Sequence, residues 1–125
     1  MKKEERQLLL KDLSARLPYN PMVHIHDLDT IDYDNYLYAT YLDSMMSYSI
    51  RLKPYLRPIS SMTKEEVKDF YDVEGINAKV AYIKPTWNWH FTINGIDWLN
   101  ANHFDYRGLI PMGLALEAPK DMYKL

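Results

Sequence analysis

Met22-Val23-His24-Ile25-His26-Asp27-Leu28 alternates apolar and polar side chains with a period of two. Val23 and Ile25 share one face and His24 and His26 the other, which is the pattern of a strand with one buried and one wet side. Downstream, Asp27, Asp29, Asp32, Asp34 and Asn35 form a polar connection. Tyr36 to Leu42 reads as a second strand, Asp43-Ser44 as a turn, and Met45 to Leu52 as a third strand. The connections are too short for parallel crossovers, so the three strands are expected to form an antiparallel meander. Lys53-Pro54-Tyr55-Leu56-Arg57-Pro58 carries two prolines and reads as an extended connector, excluded from a central strand.

Upstream, Lys3 to Leu17 is expected to be an amphipathic helix. Leu9, Leu10, Leu13 and Leu17 form its apolar side, and Lys2, Glu5, Arg6 and Asp12 lie elsewhere. Pro18 and Pro21 stop it. Thr63-Lys64-Glu65-Glu66 is a capping box that opens a second helix, buried through Val67, Phe70 and Tyr71 and ended by Gly75 in a left-handed conformation. Ala78 to Ile83 and Trp87 to Ile93 read as strands, and Asn94 as the cap of a helix from Ile96 to His103. Leu109 to Leu116 is strongly apolar but interrupted by Pro111 and Gly113. It is expected to lie across the core, with a short strand at Gly113 to Leu116, whereas Lys120 to Leu125 reads as dispensable. The order of helices and strands lacks the regular alternation of a parallel α/β fold. The expectation is one α+β domain over residues 1–125: an antiparallel sheet or small barrel with two to three packed helices.

The 125 residues are enough for one core, and 47% are hydrophobic. Fifteen basic residues are outnumbered by 17 acidic ones, for a net charge of −2, which argues against a partner held mainly through phosphates. Cysteine is absent, which removes disulfides, thiolate metal sites and cysteine nucleophiles. The charged opening Met1 to Arg6 and the lack of a long apolar run give the expectation of a cytoplasmic protein without a membrane span. Eleven tyrosines stand against three Phe and three Trp, a bias that suits half-buried strands and binding surfaces alike.

Two stretches carry a resemblance. One is Lys53-Pro54-Tyr55-Leu56-Arg57-Pro58-Ile59-Ser60-Ser61-Met62-Thr63-Lys64-Glu65-Glu66. The other runs from Ile96-Asp97-Trp98-Leu99 through Phe104-Asp105-Tyr106-Arg107-Gly108-Leu109-Ile110 to Gly113-Leu114-Ala115-Leu116-Glu117-Ala118-Pro119. With the opening Leu10-Lys11-Asp12-Leu13 and Ala15-Arg16-Leu17-Pro18-Tyr19, they resemble a group of short uncharacterised bacterial proteins found in gut-bacterial genomes, prophages and mobile elements. The resemblance covers about half the chain and implies an accessory protein of a phage or mobile element. It transfers no activity, cofactor or site residue.

Among chemical candidates, His24 and His26 stand foremost. Two histidines two apart on a strand project to one face, as paired imidazoles do when they bind zinc, and Asp27 or Asp29 would add a carboxylate. His90 and His103 are isolated and no second motif completes the set, so solvent-facing histidines are the simpler reading. The acidic run lacks the glycine and distal glutamate of a calcium loop. Trp87, Trp89 and Phe91 share a face that is expected to pack into the core, because no interleaved Arg or Lys marks it for stacking on bases. Arg51, Lys53, Tyr55 and Arg57 form the one small basic stretch and the candidate binding surface.

No catalytic residue, cofactor or metal is assigned. The reading is a non-enzymatic accessory module that contacts another protein. The alternatives are a nucleic-acid-binding accessory protein and a small metal-dependent hydrolase using His24 and His26.

Overall fold

The computed structural model describes residues 2–27, 31–75 and 90–123. Helix α1 spans Lys3–Arg16 and runs on into a 3-10 turn at Leu17–Tyr19. Strand β1 is Met22–Asp27 and β2 is Tyr33–Tyr36. Helix α2 covers Ala39–Met46, and the long strand β3 covers Ile50–Pro58. Helices α3, Lys64–Glu74, and α4, Ile93–Ala101, follow. Two short strands, β4 at Phe104–Asp105 and β5 at Leu116–Glu117, complete the described part. The architecture is α+β. The sheet runs β2-β1-β3-β4, with β5 also on β3, and it does not close, so the barrel form of the expectation is set aside.

β1 is antiparallel to both β2 and β3, as the short connections implied, but it lies between them, so the order β2-β1-β3 replaces the sequential meander that was expected. β4 and β5 add short parallel pairings to β3. Buried Val23, Ile25, Ile50, Leu52 and Leu56 turn one face of the sheet toward α1 and α2.

The stretch expected to be a connector is instead the hub of the sheet, and the register explains how it tolerates two prolines. Leu37 N–H donates to Pro21 O. By antiparallel alternation, Val23 then spends its own N–H and C=O on β2, and Val23↔Pro54 becomes a non-hydrogen-bonded pair of the β1–β3 ladder. The Pro54 nitrogen therefore points away from β1, and β5 pairs only from Tyr55 onward. At the far end, Arg57 N–H donates to His103 O, so the neighbouring Pro58 nitrogen faces away from β4. Neither proline removes a needed donor.

Tyr36 to Leu42 does not form the expected second strand. The strand is Tyr33–Tyr36, and the residues from Ala39 through Asp43-Ser44 to Met46 are helical. Aromatic β-propensity is outweighed there by helical packing that brings Met45, Tyr41 and Leu42 onto the core beside Leu37.

The capping box at Thr63 forms as read. Glu66 N–H donates to Thr63 Oγ1 at 3.1 Å, Thr63 N–H donates to Glu66 Oε1 at 3.0 Å, and Gly75 closes the helix at φ 76°. α4 begins three residues earlier than expected, and its cap is Thr92 rather than Asn94. Thr92 Oγ1 accepts from Gly95 N–H at 3.0 Å, and the Thr92 N–H is held in turn by the Glu74 carboxylate at the end of α3. The expected strand Ala78 to Ile83 and residues Trp87 to Trp89 lie outside the described residues, and the rest of the expected strand Trp87 to Ile93 is not one: His90 to Thr92 are irregular and Ile93 already opens α4, capped by Thr92. Phe91 packs edge-on to Phe70, with ring centroids 5.5 Å apart, in keeping with a core-facing stripe.

Among the described residues, buried apolar side chains form two clusters. One joins α1, β1, α2, β3 and the segment Leu109, Leu114 and Ala115. The other joins Ile59, Met62, α3, α4, Phe104 and Tyr106. The C-terminal apolar segment is thus largely core, with Met112 left exposed.

Polar groups also enter the interior. Asp12, expected on the wet side of α1, is fully buried with Arg16. Arg16 Nε lies 2.8 Å and Arg107 Nη1 2.7 Å from the Asp12 carboxylate, and Arg16 Nη2 donates to Phe104 O at 2.7 Å. The Asp105 carboxylate accepts from Leu109 and Ile110 N–H, both at 2.9 Å, which fixes the turn that starts the apolar segment.

Candidate binding surface

The face of the sheet opposite the core is set by the strand alternation. Pairing of β1 with β3 sets His24 opposite Lys53 and His26 opposite Arg51, and pairing with β2 sets His24 opposite Asp34. The two sequence candidates, the histidine pair and the basic stretch, therefore share one open face. Tyr55 joins it, donating from its hydroxyl to Asp34 Oδ1 at 2.9 Å.

Within this face His24 is bracketed by carboxylates. Its Nδ1 lies 2.8 Å from Asp34 Oδ1 and its Nε2 3.4 Å from Asp32 Oδ2. Asp32 Oδ1 also contacts His26 Nδ1. The hydrogen bond to Asp34 raises the His24 pKa above its ordinary 6.5; partial burial opposes the rise, and Asp32 adds to it. The same contacts, chiefly with His26, lower the Asp32 carboxyl. The carboxylates that reach the histidines are thus Asp32 and Asp34. Asp29 lies outside the described residues. Among the described residues, no group of three or more His, Asp or Glu side chains has an arrangement that holds a metal ion.

Arg57 separates from the rest of the basic stretch. It is half-buried, its Nη2 lies 2.8 Å from Glu66 Oε1, its Nη1 donates to Asn102 O at 3.2 Å, and its guanidinium sits 4.1 Å over the Phe104 ring. These contacts tie β3 to α3 and to the residues after α4. Arg51 and Lys53 remain exposed on the open face.

Tyrosine chemistry concentrates beside this face. Nine large apolar or aromatic side chains are exposed among the described residues, and six of them lie within residues 31–48: Ile31, Tyr33, Tyr36, Tyr38, Met46 and Tyr48. Tyr41 knits part of the group. Its hydroxyl accepts from Asn35 Nδ2 at 3.1 Å, it bonds Tyr33, and its ring lies 5.8 Å from that of Tyr38. Among the described strands β2 is the outer one of the sheet. One outward backbone donor there, Tyr36 N–H, is covered by the Asn35 side chain at 2.8 Å, a local guard against unspecific edge pairing. Tyr48 has φ 63°, a conformation that is costly for a bulky residue, and it is 74% exposed with the Arg6 guanidinium 3.5 Å above its ring. No sequence signal marked this group beyond the tyrosine count, because the segment reads as strand and not as an exposed strand–helix unit.

A cleft of about 770 Å³ opens between α3, α4 and the C-terminal tail, lined by Glu65, Glu66, Asp69, Trp98 and Tyr123 among others. Its five acidic residues outnumber Arg57 and Lys120, so it does not suit a phosphate backbone. Of its hydroxyls, Thr63 Oγ1 accepts from the Glu66 N–H of the helix cap and Ser61 Oγ donates to Pro58 O at 2.6 Å.

Tyr123 shows that the tail is not the dispensable end that was expected. Its hydroxyl donates to Tyr55 O at 2.7 Å and accepts from Met22 N–H at 2.8 Å, just past the last β1–β3 pair. Its ring stacks on His103 with centroids 3.8 Å apart. Burial, with Arg16 and Arg57 nearby, pushes the His103 pKa down to about 4, and burial pushes the Tyr123 hydroxyl up to about 12. Both rings are therefore neutral at ordinary pH.

No family model, curated protein or solved structure matches this chain. Among the described residues no helix is long and apolar enough to cross a membrane.

Proposed function

We propose that the protein is a non-enzymatic, cytoplasmic accessory module that contacts another protein through the tyrosine-bearing surface of residues 31–48. The observation that carries this reading is that six of the nine large apolar or aromatic side chains exposed among the described residues gather on β2, α2 and their flanks. Tyrosine and methionine are enriched in protein interfaces, where a rigid ring supplies contact area at low entropic cost and its hydroxyl tolerates water. The exposed, strained Tyr48 adds to this, since backbone strain of about 1–3 kcal/mol is commonly kept where it serves function. A setting in a phage or mobile element rests on the resemblance of the two quoted stretches.

Binding to nucleic acid is less favoured. Arg51 and Lys53 are the only members of the basic stretch exposed on the open face, and Asp32 and Asp34 stand on the same face. Two cations give little counterion-driven affinity.

The test is site-specific photo-crosslinking in the native host from positions Tyr36, Tyr38 and Tyr48, with Val73 and Ile93 as exposed controls outside the surface. The result expected is one recurrent protein adduct from the three tyrosine positions and none from the controls. Equal labelling from all five positions would overturn the reading.

A further inference from the structure

Both ring nitrogens of His24 face carboxylates, Nδ1 toward Asp34 and Nε2 toward Asp32. A neutral imidazole carries one N–H and one lone pair, so it donates to only one of two ionised carboxylates, whereas the imidazolium donates to both. We propose that His24 is a protonation-dependent latch: as imidazolium it clamps Asp32 and Asp34 at once onto β1, and on losing its proton it lets one of them go.

The surrounding groups fit this arrangement. From the β2 side Asp32 and Asp34 face His24. From β3 come Lys53, directly opposite, and the Tyr55 hydroxyl, which also donates to Asp34. From its own strand comes His26, which shares Asp32, with Arg51 opposite it. Lys53 and Arg51 oppose the imidazolium, and the two carboxylates outweigh them, in line with the raised His24 pKa. Tyr55 also holds Asp34 and His26 also holds Asp32, and among the described contacts His24 is the side chain that joins the two carboxylates to each other through β1. The Asp34 contact lies in β2 and the Asp32 contact just before it, so release loosens the segment that carries Tyr33 and Tyr36. The latch does not depend on what docks there.

Because His24 is raised in the folded protein, its contribution is complete below pH 6.5 and is lost as pH rises through the folded value. Because Asp32 is lowered, its contribution is complete above pH 3.8 and is lost as pH falls through its folded value. The clamp is therefore strongest in mildly acidic solution and opens on the alkaline side.

The test combines an NMR titration of the histidine ring protons with hydrogen exchange of residues 31–37, corrected for the intrinsic pH dependence of exchange. His26→Gln secures the assignment of His24. The wild-type His24 midpoint is expected above 6.5, with exchange of the segment rising about two- to fivefold across it, the size of an exposed charged contact. In His24→Gln the exchange step disappears. In Asp32→Asn the His24 midpoint falls and the step also disappears, because a neutral imidazole still serves the single remaining carboxylate. EDTA leaves the wild-type step unchanged. A His24 midpoint at or below 6.5, a step that survives in His24→Gln, or a step abolished by EDTA would each overturn the latch.

Discussion

Replacing Asp12 with alanine is expected to remove a large part of the stability of the fold. Asp12 is fully buried and is the carboxylate that answers both Arg16 and Arg107, at 2.8 and 2.7 Å. Arg16 is fully buried as well, and without Asp12 its guanidinium keeps only the Phe104 carbonyl as a hydrogen-bond acceptor. An exposed i,i+4 pair on a helix contributes about 0.3–0.5 kcal/mol. Removing one partner of a buried pair costs about 3–5 kcal/mol, because the remaining charge is left uncompensated. Small domains have about 5–15 kcal/mol in total. With a urea slope of about 1–3 kcal/mol/M, the midpoint of Asp12→Ala should fall by about 1–5 M. The assay is urea unfolding followed by circular dichroism. The triple variant Asp12→Leu, Arg16→Met, Arg107→Met, which removes all three charges, should recover part of the loss. A single variant within about 1 kcal/mol of wild type would refute the reasoning, since the pair would then behave like an exposed one.

Truncation after Tyr106 removes buried Leu109, Leu114 and Ala115 together with β5, and burying each leucine is worth about 1.5–3 kcal/mol. The product should be insoluble or lack a cooperative melting transition. Tyr123→Phe loses the bonds to Tyr55 O and Met22 N–H and should lower stability by about 1–3 kcal/mol, read as a fall in Tm. His103 should stay unprotonated down to about pH 4 in an NMR titration. The unfolded chain takes up that proton near pH 6.5, so His103 lowers stability as pH falls from about 6.5 to about 4, opposite in sign to His24. Thr63→Ala should cost about 1 kcal/mol in thermal melts through loss of the α3 cap.

Local signals in the sequence carried through where local chemistry decides the outcome. The Thr63–Glu66 box and Gly75 set both ends of α3, and the alternation of Val23 with His24 fixed which face of β1 is wet. β3 was illegible because a proline's effect depends on which way its nitrogen points, and that is settled by register with a distant strand. Asp12 reads as solvent-facing for a related reason. Leu9, Asp12, Leu13 and Arg16 occupy one helical stripe, but a charge on that stripe reads as solvent-facing until Arg107, far along the chain, is brought to it. His24 and His26 were visible as a pair. Their partners Asp32 and Asp34 stood in the sequence as one undifferentiated acidic run, and the hairpin register selects them. Tyr123 is not legible in the sequence, because one hydroxyl in a polar tail has no sequence signature.

The docking surface itself is tested most directly by the affinity of the cross-linked partner for the double variant Tyr36→Ser, Tyr38→Ser, compared with the control Val73→Ser, Ile93→Ser. Tyr36 and Tyr38 are about half exposed, so the fold should keep its Tm. Two interface anchors at about 2 kcal/mol each should weaken binding by about three orders of magnitude, with the control unchanged. Equal affinity of the two double variants for that partner would contradict the assignment of residues 31–48 as the surface through which this protein works.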